Sequence, residues 1–457
     1  MHLETIKMVF AHGRATFLQF CKGVLLGIMT GVIVGLAGIA FHYMNEYAAA
    51  AQTAHGWLLF FLPLAGLLIA GLYHVCGIDN DRGTNFALIA VRKNEGMALR
   101  TAPLIAVSTA LTHLTGGSSG REGAALQLGG SIASYLGRRL RLDEREARIL
   151  TMCGMAAGFS ALFGTPLAAA IFAIEVVSVG VMQYAALTPC LVASLTAHQV
   201  ALHLGGETTF FALTSLPSVN MQTLASTLLL GCLIGLLAWF ECVVIALVHH
   251  WYHKLMPSHF LCAFVGGCLV IAVTLLLGTR DYNGAGMAGI ERAVAGEALP
   301  WAFLCKLLLT ALTLGAGFKG GEIVPTFFIG ATFGCTVGGL LGLPAGFSAA
   351  LAMVGLFCGV TNSPLTSMLL AFELFGGKSL PLFALICAVS YRLSGYGSLY
   401  RAQKIIYSKE MPVPYHEMQQ SPADARLESE EADAAWDAAP DAADEASAPE
   451  ETEAAIR

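Results

Sequence analysis

Apolar residues run along this chain in long stretches that are interrupted by short polar or glycine-rich segments. Several stretches reach the length of about 20 apolar residues that a helix needs to cross a bilayer. Others are short and rich in glycine, and we expect them to form helices that stop partway, buried in protein or lining a cavity. The pattern predicts an all-α polytopic membrane protein. The apolar stretches are residues 24–41, 57–75, 101–115, 147–179, 185–204, 223–248, 260–278, 300–317, 325–342, 348–372 and 380–393.

Two segments about 200 residues apart repeat one another. In both, a glycine-flanked carboxylate is followed by a methionine, a Pro-Leu pair and a second glutamate. The methionine precedes the proline by 11 residues in each copy, and the proline precedes the second glutamate by 9. Two halves broken by Gly and Pro are typical of an ion transporter whose site lies between them. The corresponding residues are Glu122, Met155, Pro166 and Glu175 in the first copy and Glu322, Met353, Pro364 and Glu373 in the second.

The composition supports a membrane protein with a separate acidic tail. Hydrophobic residues make up 56% and charged residues 12% of the chain, and the mean hydropathy is +0.67, whereas a soluble protein carries about 25% charged residues. Of the 31 acidic and 25 basic residues, 13 acidic and 2 basic ones lie from Glu417 onward, so the rest of the chain is mildly basic. A basic body suits an anion carrier, and loop charges that set topology explain it equally well.

The predicted organisation has three parts. Residues 1–22 form a cytoplasmic N-terminal segment, because the first apolar stretch follows Lys7, Arg14 and Lys22 and is too long for a signal peptide. Residues 23–410 form a transmembrane domain with halves at about 23–205 and 221–410. Residues 411–457 are rich in Ala, Glu, Asp and Pro and are expected to be disordered.

The first carboxylate, Glu122, stands between glycine-rich sequence and an apolar amphipathic run. This position predicts the N-terminus of a helix, where unpaired backbone N–H groups and the helix dipole attract negative charge. A glutamate inside a bilayer is costly and is a functional candidate by default. Glu122 could fill this anion site itself, or leave it to a small anion when protonated, and would then be both gate and proton carrier. Alternatively, it only caps its helix or pairs with Arg121.

Residues 320–325, Gly-Gly-Glu-Ile-Val-Pro, repeat this design. Pro325 is expected at the first helical position, where its missing N–H does no harm, and the glycines let backbone approach a ligand. Lys319 adds a positive charge nearby. Two such N-termini meeting at mid-membrane would form a cradle for a small anion. Glu175 and Glu373 are interpreted as structural carboxylates at helix ends or interfaces, with proton handling as the alternative.

These residues resemble the CLC family of anion channels and transporters. Gly120-Arg121-Glu122-Gly123 is similar to the gating-glutamate motif of that family, and residues 321–325 are similar to its second anion-binding loop. The segments 155–175 and 353–373 resemble its paired helices. Four motifs in order and at consistent spacing extend the resemblance over roughly residues 20–410.

The resemblance implies two inverted-topology halves and a homodimer in which each subunit has its own anion pathway. Glu122 would be the gating carboxylate that exchanges with the anion. Tyr400 falls where the family places a tyrosine whose hydroxyl touches the central anion, although by itself it would be an interfacial aromatic. The anion-binding residues that follow from the two motifs and this tyrosine are Gly120, Arg121, Gly123, Gly321, Glu322, Ile323, Val324 and Tyr400.

The chain departs from the chloride-transporting members at two places. Their first anion loop reads Gly-Ser-Gly-Ile-Pro, whereas residues 81–86 read Asp-Arg-Gly-Thr-Asn-Phe, and chloride/proton exchangers have an internal proton-transfer glutamate where Val176 stands. Residues 317–322 and the short Gly-x-Asn-Phe loop are more similar to the bacterial fluoride-exporting branch, which usually has Met or Asn near Thr84. Gly83, Thr84 and Asn85 are expected to bind the anion, and the inner proton route stays unassigned.

Proton-coupled fluoride export is the function we expect. Fluoride is strongly hydrated, so its carrier must replace water with strong donors, which Thr84, Asn85, Tyr400 and backbone N–H groups of the second loop could supply. Exchange for a proton requires that Glu122 and the bound anion exclude each other. The expected partners are a halide ion (fluoride or chloride), protons, the lipid bilayer and a second copy of the chain. The expected location is a bacterial inner membrane with both termini in the cytoplasm.

A chloride transporter or voltage-gated-type chloride channel of the same family is the main alternative. An intramembrane serine protease is a remote one, since residues 117–120 read Gly-Ser-Ser-Gly and His198 would have to activate the serine. We expect no enzymatic activity. The loop lacks the Gly-Lys-Ser/Thr ending of a phosphate loop, and sparse basic residues give no support for nucleic-acid binding. No cofactor is expected and, because the 12 cysteines and 13 histidines are scattered, no metal site.

Overall fold

The computed structural model describes residues 2–78, 83–93, 96–213, 215–410 and 415. The chain divides into two units, residues 1–405 and residues 406–457. In the second unit, the Tyr415 N–H donates to the Ile406 carbonyl at 2.9 Å. The disorder predicted for residues 411–457 concerns positions that, apart from Tyr415, lie outside the described residues.

The first unit is almost entirely helical, as predicted. Two 3₁₀ helices, Gly56–Phe61 and Tyr184–Ala186, and two short strands that pair in parallel, β1 (Ser178–Val179) and β2 (Lys404–Ile405), accompany the α-helices. The α-helices of the described residues are α1 (His2–Ala54), α2 (Leu62–Val75), α3 (Thr84–Lys93), α4 (Thr101–Leu114), α5 (Glu122–Arg139), α6 (Glu144–Phe163), α7 (Pro166–Glu175), α8 (Leu187–His203), α9 (Met221–Leu255), α10 (His259–Leu277), α11 (Met287–Val294), α12 (Ala302–Gly315), α13 (Ile323–Leu340), α14 (Ala345–Thr361), α15 (Pro364–Phe375) and α16 (Leu380–Leu393).

The chain contains both full-length and short apolar helices. Within the described residues, six helical segments are long and apolar enough to cross a membrane, the first of them Thr16–Ala54. Six further apolar helices have only 10–17 residues. This is the mixture of spanning and broken helices predicted from the apolar stretches. The predicted domain boundary at residue 22 falls inside α1, which runs unbroken from His2.

The same break interrupts both copies of the repeat. The helix α6 ends at the left-handed Gly164 (φ 75°), and α7 begins at Pro166. In the second copy, α14 ends at the left-handed Asn362 (φ 55°), and α15 begins at Pro364. A left-handed residue ends the preceding helix, and a proline at the first position of the next one lacks only an N–H that would have no partner. Each apolar run therefore forms two helices in place of one span.

Two carboxylates make the same contact in opposite directions between the halves. Glu175, the last residue of α7, accepts hydrogen bonds from the backbone N–H groups of Leu365 and Thr366 at the start of α15, at 3.0 and 2.8 Å. Glu373 of α15 accepts in return from the second and third residues of α7, at 2.8 and 2.9 Å. Each carboxylate thus satisfies unpaired N–H groups at a helix N-terminus. These contacts agree with the helix-end role predicted for both residues, and their exchange relates the halves by inversion.

Small residues bring the site-bearing helices close to their neighbours. A Cβ on Gly129 of α5 would lie 2.0 Å from the Gly154 carbonyl oxygen of α6. A Cβ on Gly334 of α13 would lie 2.3 Å from the Ser348 carbonyl oxygen of α14. Close approach of this kind is typical of helices that associate in membranes. It fixes α5 and α13, whose N-termini form the candidate site.

Candidate functional site

The two glycine-rich loops of the repeat pair directly with each other. The Gly120 N–H donates to the Gly321 carbonyl at 2.6 Å, and the Gly321 N–H donates back to the Gly120 carbonyl at 2.8 Å. A Cβ on Gly321 would lie 2.6 Å from the Gly123 nitrogen, so only glycine lets the loops meet. The pairing brings the N-termini of α5 and α13 together, as predicted for the anion cradle.

Glu122 is the first residue of α5, and its side chain is 1% exposed. Its Oε2 accepts a hydrogen bond from the Arg121 N–H at 3.0 Å. The Val324 N–H of the second loop also interacts favourably with this carboxylate. Among the described residues no ion pair joins the Arg121 side chain to Glu122. The carboxylate therefore interacts with backbone N–H groups of both loops, and the pairing with the Arg121 side chain that was the alternative is not formed.

The second carboxylate, Glu322, lies across from Thr84. A Cβ on Gly123 would be 2.8 Å from the Thr84 hydroxyl oxygen and 3.3 Å from Glu322 Oε2, so both groups face the same point on α5. Thr84 is the first residue of α3 and is 4% exposed. Glu322 Oε2 is buried and has no hydrogen-bond partner among the described residues. The structure thus places a hydroxyl and a second carboxyl beside the paired loops.

Tyr400 closes the site from the C-terminal segment. The residue is 1% exposed, and its ring centroid lies 6.3 Å from that of Phe172 in α7. Its hydroxyl is buried and has no hydrogen-bond partner among the described residues. Both Glu322 and Glu122 are close enough to interact electrostatically with it. A buried, unpaired hydroxyl beside two carboxyl groups is a donor available to a bound anion.

Asn85 has a contact that the sequence analysis did not predict. Its Oδ1 accepts a hydrogen bond from the Ala402 N–H at 2.9 Å, and Arg92 of the same helix donates to the Ala402 carbonyl at 2.6 Å. Helix α3 thereby holds the segment that carries Tyr400. The backbone of Gly83 is left-handed (φ 57°), and anion binding by Gly83 and Asn85 stays a prediction. Residues 81 and 82 of this loop lie outside the described residues.

The start of α13 differs from the prediction by two residues. Pro325 was expected at the first helical position, but α13 begins at Ile323, so the proline is the third residue. The physical reason for its presence still holds, because the first four N–H groups of a helix have no partner within it. The N–H groups of Ile323 and Val324 remain available for the site, and the one of Val324 reaches Glu122.

A buried lysine outside the predicted site supports the first loop. Tyr282, in the connection before α11, offers its carbonyl oxygen to Lys306 Nζ at 3.1 Å and to the Ser118 hydroxyl at 2.9 Å. Two further hydrogen bonds tie this connection to the loop, from Asn283 Nδ2 to the Gly116 carbonyl (2.7 Å) and from the Gly284 N–H to the Gly117 carbonyl (3.1 Å). Lys306 is fully buried. A charge inside the apolar run 300–317 was the signal that could have identified it.

Neither serine hydroxyl of the motif bonds a histidine among the described residues, although His113 Nε2 lies 3.3 Å from the Gly120 carbonyl oxygen. Besides the Tyr282 carbonyl, the Ser118 hydroxyl has the Thr310 hydroxyl at 3.0 Å. The Ser119 hydroxyl is buried and without a hydrogen-bond partner among the described residues. A serine nucleophile needs an adjacent base, and the proposed His198 does not serve either serine.

A further carboxylate, Glu241, was not singled out from the sequence. It lies in α9, is 1% exposed, and its Oε1 accepts a 2.6 Å hydrogen bond from the Thr326 hydroxyl of α13. Thr326 follows Glu322 by one helical turn. The signal was again present, since Glu241 interrupts the apolar run 223–248.

Comparison with known proteins agrees with this geometry. A family model described as "Voltage gated chloride channel" matches residues 80–395. The chain belongs to the CLC family of voltage-gated chloride channels. The match includes both glycine-rich loops and Glu241, and Tyr400 lies just beyond it.

Individual CLC proteins show which branch the chain resembles. It is 34% identical over 401 residues to a "Chloride/fluoride channel protein" of Pseudomonas syringae pv. tomato, an alignment that covers 86% of this chain and 89% of the relative. The crystal structure of a CLC-type fluoride/proton antiporter matches with a TM-score of 0.82 and 32% identity over 85% of this chain and 99% of that one. A slow cyanobacterial chloride/proton antiporter matches with a TM-score of 0.69 and 20% identity over 89% and 99%, which shows the fold alone. The predicted resemblance to the fluoride/proton branch is confirmed.

Proposed function

We propose that this protein exports fluoride in exchange for protons, with Glu122 as the gating and proton-carrying carboxylate. One observation carries the proposal: the Glu122 carboxylate lies where two helix N-termini converge, within reach of backbone N–H groups from both loops. Such a position favours any small negative group. An ionised Glu122 and a halide ion therefore compete for the same donors.

Protonation of Glu122 changes the outcome of this competition. A neutral carboxyl is held less strongly by N–H groups and the helix dipole than a carboxylate is. The anion then takes over the N–H groups of both loops, while Glu122 carries a proton. When the anion leaves, Glu122 releases its proton and returns. Anion and proton move in opposite directions, and an inward proton gradient drives fluoride out.

The donors around Glu122 support fluoride as the anion. Fluoride gives up strong hydration, so it needs several short hydrogen bonds. The hydroxyls of Thr84 and Tyr400 and the backbone N–H groups of Ile323 and Val324 are within or beside the site. The similar solved structure is a fluoride/proton antiporter. The relative described as a chloride/fluoride channel protein keeps a chloride transporter or channel as the second candidate.

We further propose that the protein works as a homodimer in a bacterial plasma membrane, with both termini in the cytoplasm. An ion pair between Lys22 and Glu146 joins the first part of α1 to the start of α6. Arg138 and Arg139 lie at the end of α5, just before α6. Basic residues concentrate on the cytoplasmic side of membrane proteins, which supports a cytoplasmic N-terminus. The homodimer and the position of the C-terminus rest on the resemblance to the CLC family.

Flux from liposomes tests this function. Purified protein is reconstituted in vesicles loaded with fluoride or with chloride, and anion efflux and proton uptake are recorded together. We expect fluoride efflux that draws protons inward, with chloride moving far more slowly, and loss of the coupling in Glu122→Gln. Comparable chloride movement or flux without proton uptake would favour the chloride transporter or channel instead.

A further inference from the structure

We propose that Glu241 is a proton-carrying carboxylate, connected to the central site through Glu322 and the Thr326 hydroxyl. The inference rests on the proton coupling of the proposed function and assigns a group to the inner proton route. The position where chloride/proton exchangers would have a glutamate offers none, since Val176 is apolar and 1% exposed. Its carbonyl oxygen accepts a hydrogen bond from Gln403 Nε2 at 3.0 Å.

The polar residues Glu322, Thr326 and Glu241 follow one another from the paired loops to α9, and a side-chain hydrogen bond joins the last two. Glu322 and Thr326 are four residues apart, and the Thr326 N–H donates to the Glu322 carbonyl at 3.0 Å. Residues in this relation are neighbours on one face of a helix. Thr326 is fully buried, and its hydroxyl bonds Glu241 at 2.6 Å. The connection runs from the paired loops across α13 to α9.

The unpaired oxygens of the two carboxyl groups suit proton uptake. Glu241 Oε2 and Glu322 Oε2 are both buried without a hydrogen-bond partner among the described residues. Glu241 also forms no ion pair with any of the described residues. A buried carboxylate without a counter-charge is costly, whereas its protonated form is neutral. Nothing in these surroundings therefore holds Glu241 permanently in its charged form.

The transfer step uses the threonine hydroxyl as both acceptor and donor. In the proposed step the protonated Glu322 side chain rotates into hydrogen-bonding distance of Thr326 Oγ1 and passes its proton to this oxygen, while the hydroxyl gives its own proton to Glu241 Oε1. Glu322 becomes a carboxylate, Glu241 becomes a carboxylic acid, and Thr326 is unchanged. One proton has moved, and no other bond has formed or broken.

The position of Glu241 along α9 gives the route a direction. At 1.5 Å per residue, Glu241 lies about 30 Å from Met221 and about 21 Å from Leu255. It is thus nearer the end of α9 that carries His253 and Lys254 in its last turn. Basic residues mark the cytoplasmic side, so the route leads from the loops towards the cytoplasm.

The test compares variants that differ in one proton-carrying group. Wild type, Glu241→Gln, Thr326→Val and Thr326→Ser are reconstituted in liposomes, and protons taken up per fluoride released are measured. Thr332→Val is the matched control, because Thr332 lies on the same helix and, among the described residues, its hydroxyl bonds only carbonyls of that helix, Phe328 at 2.8 Å and Ile329 at 3.3 Å. A positioned proton-transfer group typically contributes a hundredfold or more. We expect the proton-to-fluoride ratio to fall about tenfold in Glu241→Gln and Thr326→Val and to stay at the wild-type value in Thr326→Ser and Thr332→Val.

The outcomes separate this inference from the function on which it rests. A wild-type ratio in both Glu241→Gln and Thr326→Val overturns the relay and leaves fluoride/proton exchange intact. Fluoride release by the wild type without proton uptake overturns the exchange and the relay with it. Thermal unfolding in detergent checks that each variant folds, and Thr326→Val with its serine rescue decides the question should Glu241→Gln be unstable.

Discussion

The two carboxylate loops have nearly the same sequence design but different surroundings. Glu122 is the first residue of α5; its carboxylate accepts a hydrogen bond from the Arg121 N–H and interacts with the Val324 N–H of the second loop. Glu322 precedes α13 as its N-cap, and its buried Oε2 has no hydrogen-bond partner among the described residues. Lys306 also supports the first loop, because the Tyr282 carbonyl accepts hydrogen bonds from both Lys306 Nζ and the Ser118 hydroxyl.

This difference is what the proposed transport cycle requires, because a repeated fold must then give its two carboxylates unequal roles. The inverted repeat brings the two helix N-termini together through the backbone pairing of Gly120 and Gly321, where we propose that one anion binds. The side chains of the two carboxylates, Glu122 and Glu322, then have different roles in the proposed cycle. In the proposed cycle, Glu122 competes with the anion for N–H groups, whereas Glu322 faces Thr84 and begins the proposed proton route along α13. The two loops are related by symmetry in their backbone. The chemical role of each carboxylate depends on whether hydrogen-bond donors surround it.

Exchanging each carboxylate for its amide should have the largest and most unequal effects. We expect Glu122→Gln to lower fluoride/proton exchange about a hundredfold or more, since it removes both the gate charge and the proton carrier. We expect Glu322→Gln to lower the proton-to-fluoride ratio about tenfold, with anion flux partly retained. Coupled efflux assays on both variants check this. Equal losses would mean that the loops share one role.

Adding a methyl group to each paired glycine should separate fold from gating. The Cβ of Gly321→Ala would meet the backbone nitrogens of Gly123 and Glu122 at 2.6 and 3.1 Å, so the loops must separate, at a cost of about 1–3 kcal/mol. In Gly120→Ala, the nearest atom is Glu122 Oε2 at 2.7 Å, the movable end of a side chain. We expect a smaller stability loss there and a disturbed gate. Thermal unfolding compares the stability of the two variants, and efflux compares their gating. An equal loss of stability in Gly321→Ala and Gly120→Ala would contradict this prediction.

The reciprocal carboxylates Glu175 and Glu373 offer a comparison of stability. Hydrogen bonds to a charged group contribute about 1.5–3 kcal/mol, and an amide retains only part of this. Glu175 also accepts from the Thr366 hydroxyl at 2.6 Å. We therefore expect Glu175→Gln to destabilise by about 1–2 kcal/mol and more than Glu373→Gln. The exposed Glu291 serves as a Gln control in the same unfolding assay, and the reverse order would refute the assignment.

Tyr400→Phe should have the smallest effect on stability, and we expect it to weaken only the binding of the anion. Its hydroxyl is without a hydrogen-bond partner among the described residues, so the fold loses no described contact. A hydrogen bond to a charged group contributes about 1.5–3 kcal/mol, which corresponds to roughly 10- to 150-fold weaker fluoride binding. Binding measured by calorimetry and unfolding measured in parallel test this. A loss of stability without a loss of affinity would show a packing role only.

The site loops could be predicted from sequence because charges and glycines stand out in apolar surroundings. Glu122, Glu322 and their helix starts were recognisable from a few adjacent residues, since helix N-termini have a local sequence signature. The break at each Pro-Leu pair was equally local. The resemblance to the CLC family then placed Tyr400, which no local pattern would have selected.

The remaining contacts depend on residues that are distant in the chain. Asn85 bonds Ala402, 317 residues away, and Glu175 caps a helix about 190 residues further on, so no local periodicity announces either partner. Glu241 and Lys306 were visible as charges in apolar runs. Neither residue has a flanking glycine motif, so the sequence did not indicate whether it belonged to the site or only to the packing. The fold shows which part of the structure each one contacts.

Competition between Glu122 and fluoride is the central claim, and equilibrium binding tests it most directly. Fluoride binding to purified wild type and Glu122→Ala would be measured by isothermal titration calorimetry over a range of pH. We predict that wild-type affinity weakens as the pH rises and Glu122 becomes ionised, while Glu122→Ala binds more tightly and with little pH dependence. The same affinity and the same pH dependence in both proteins would contradict the account.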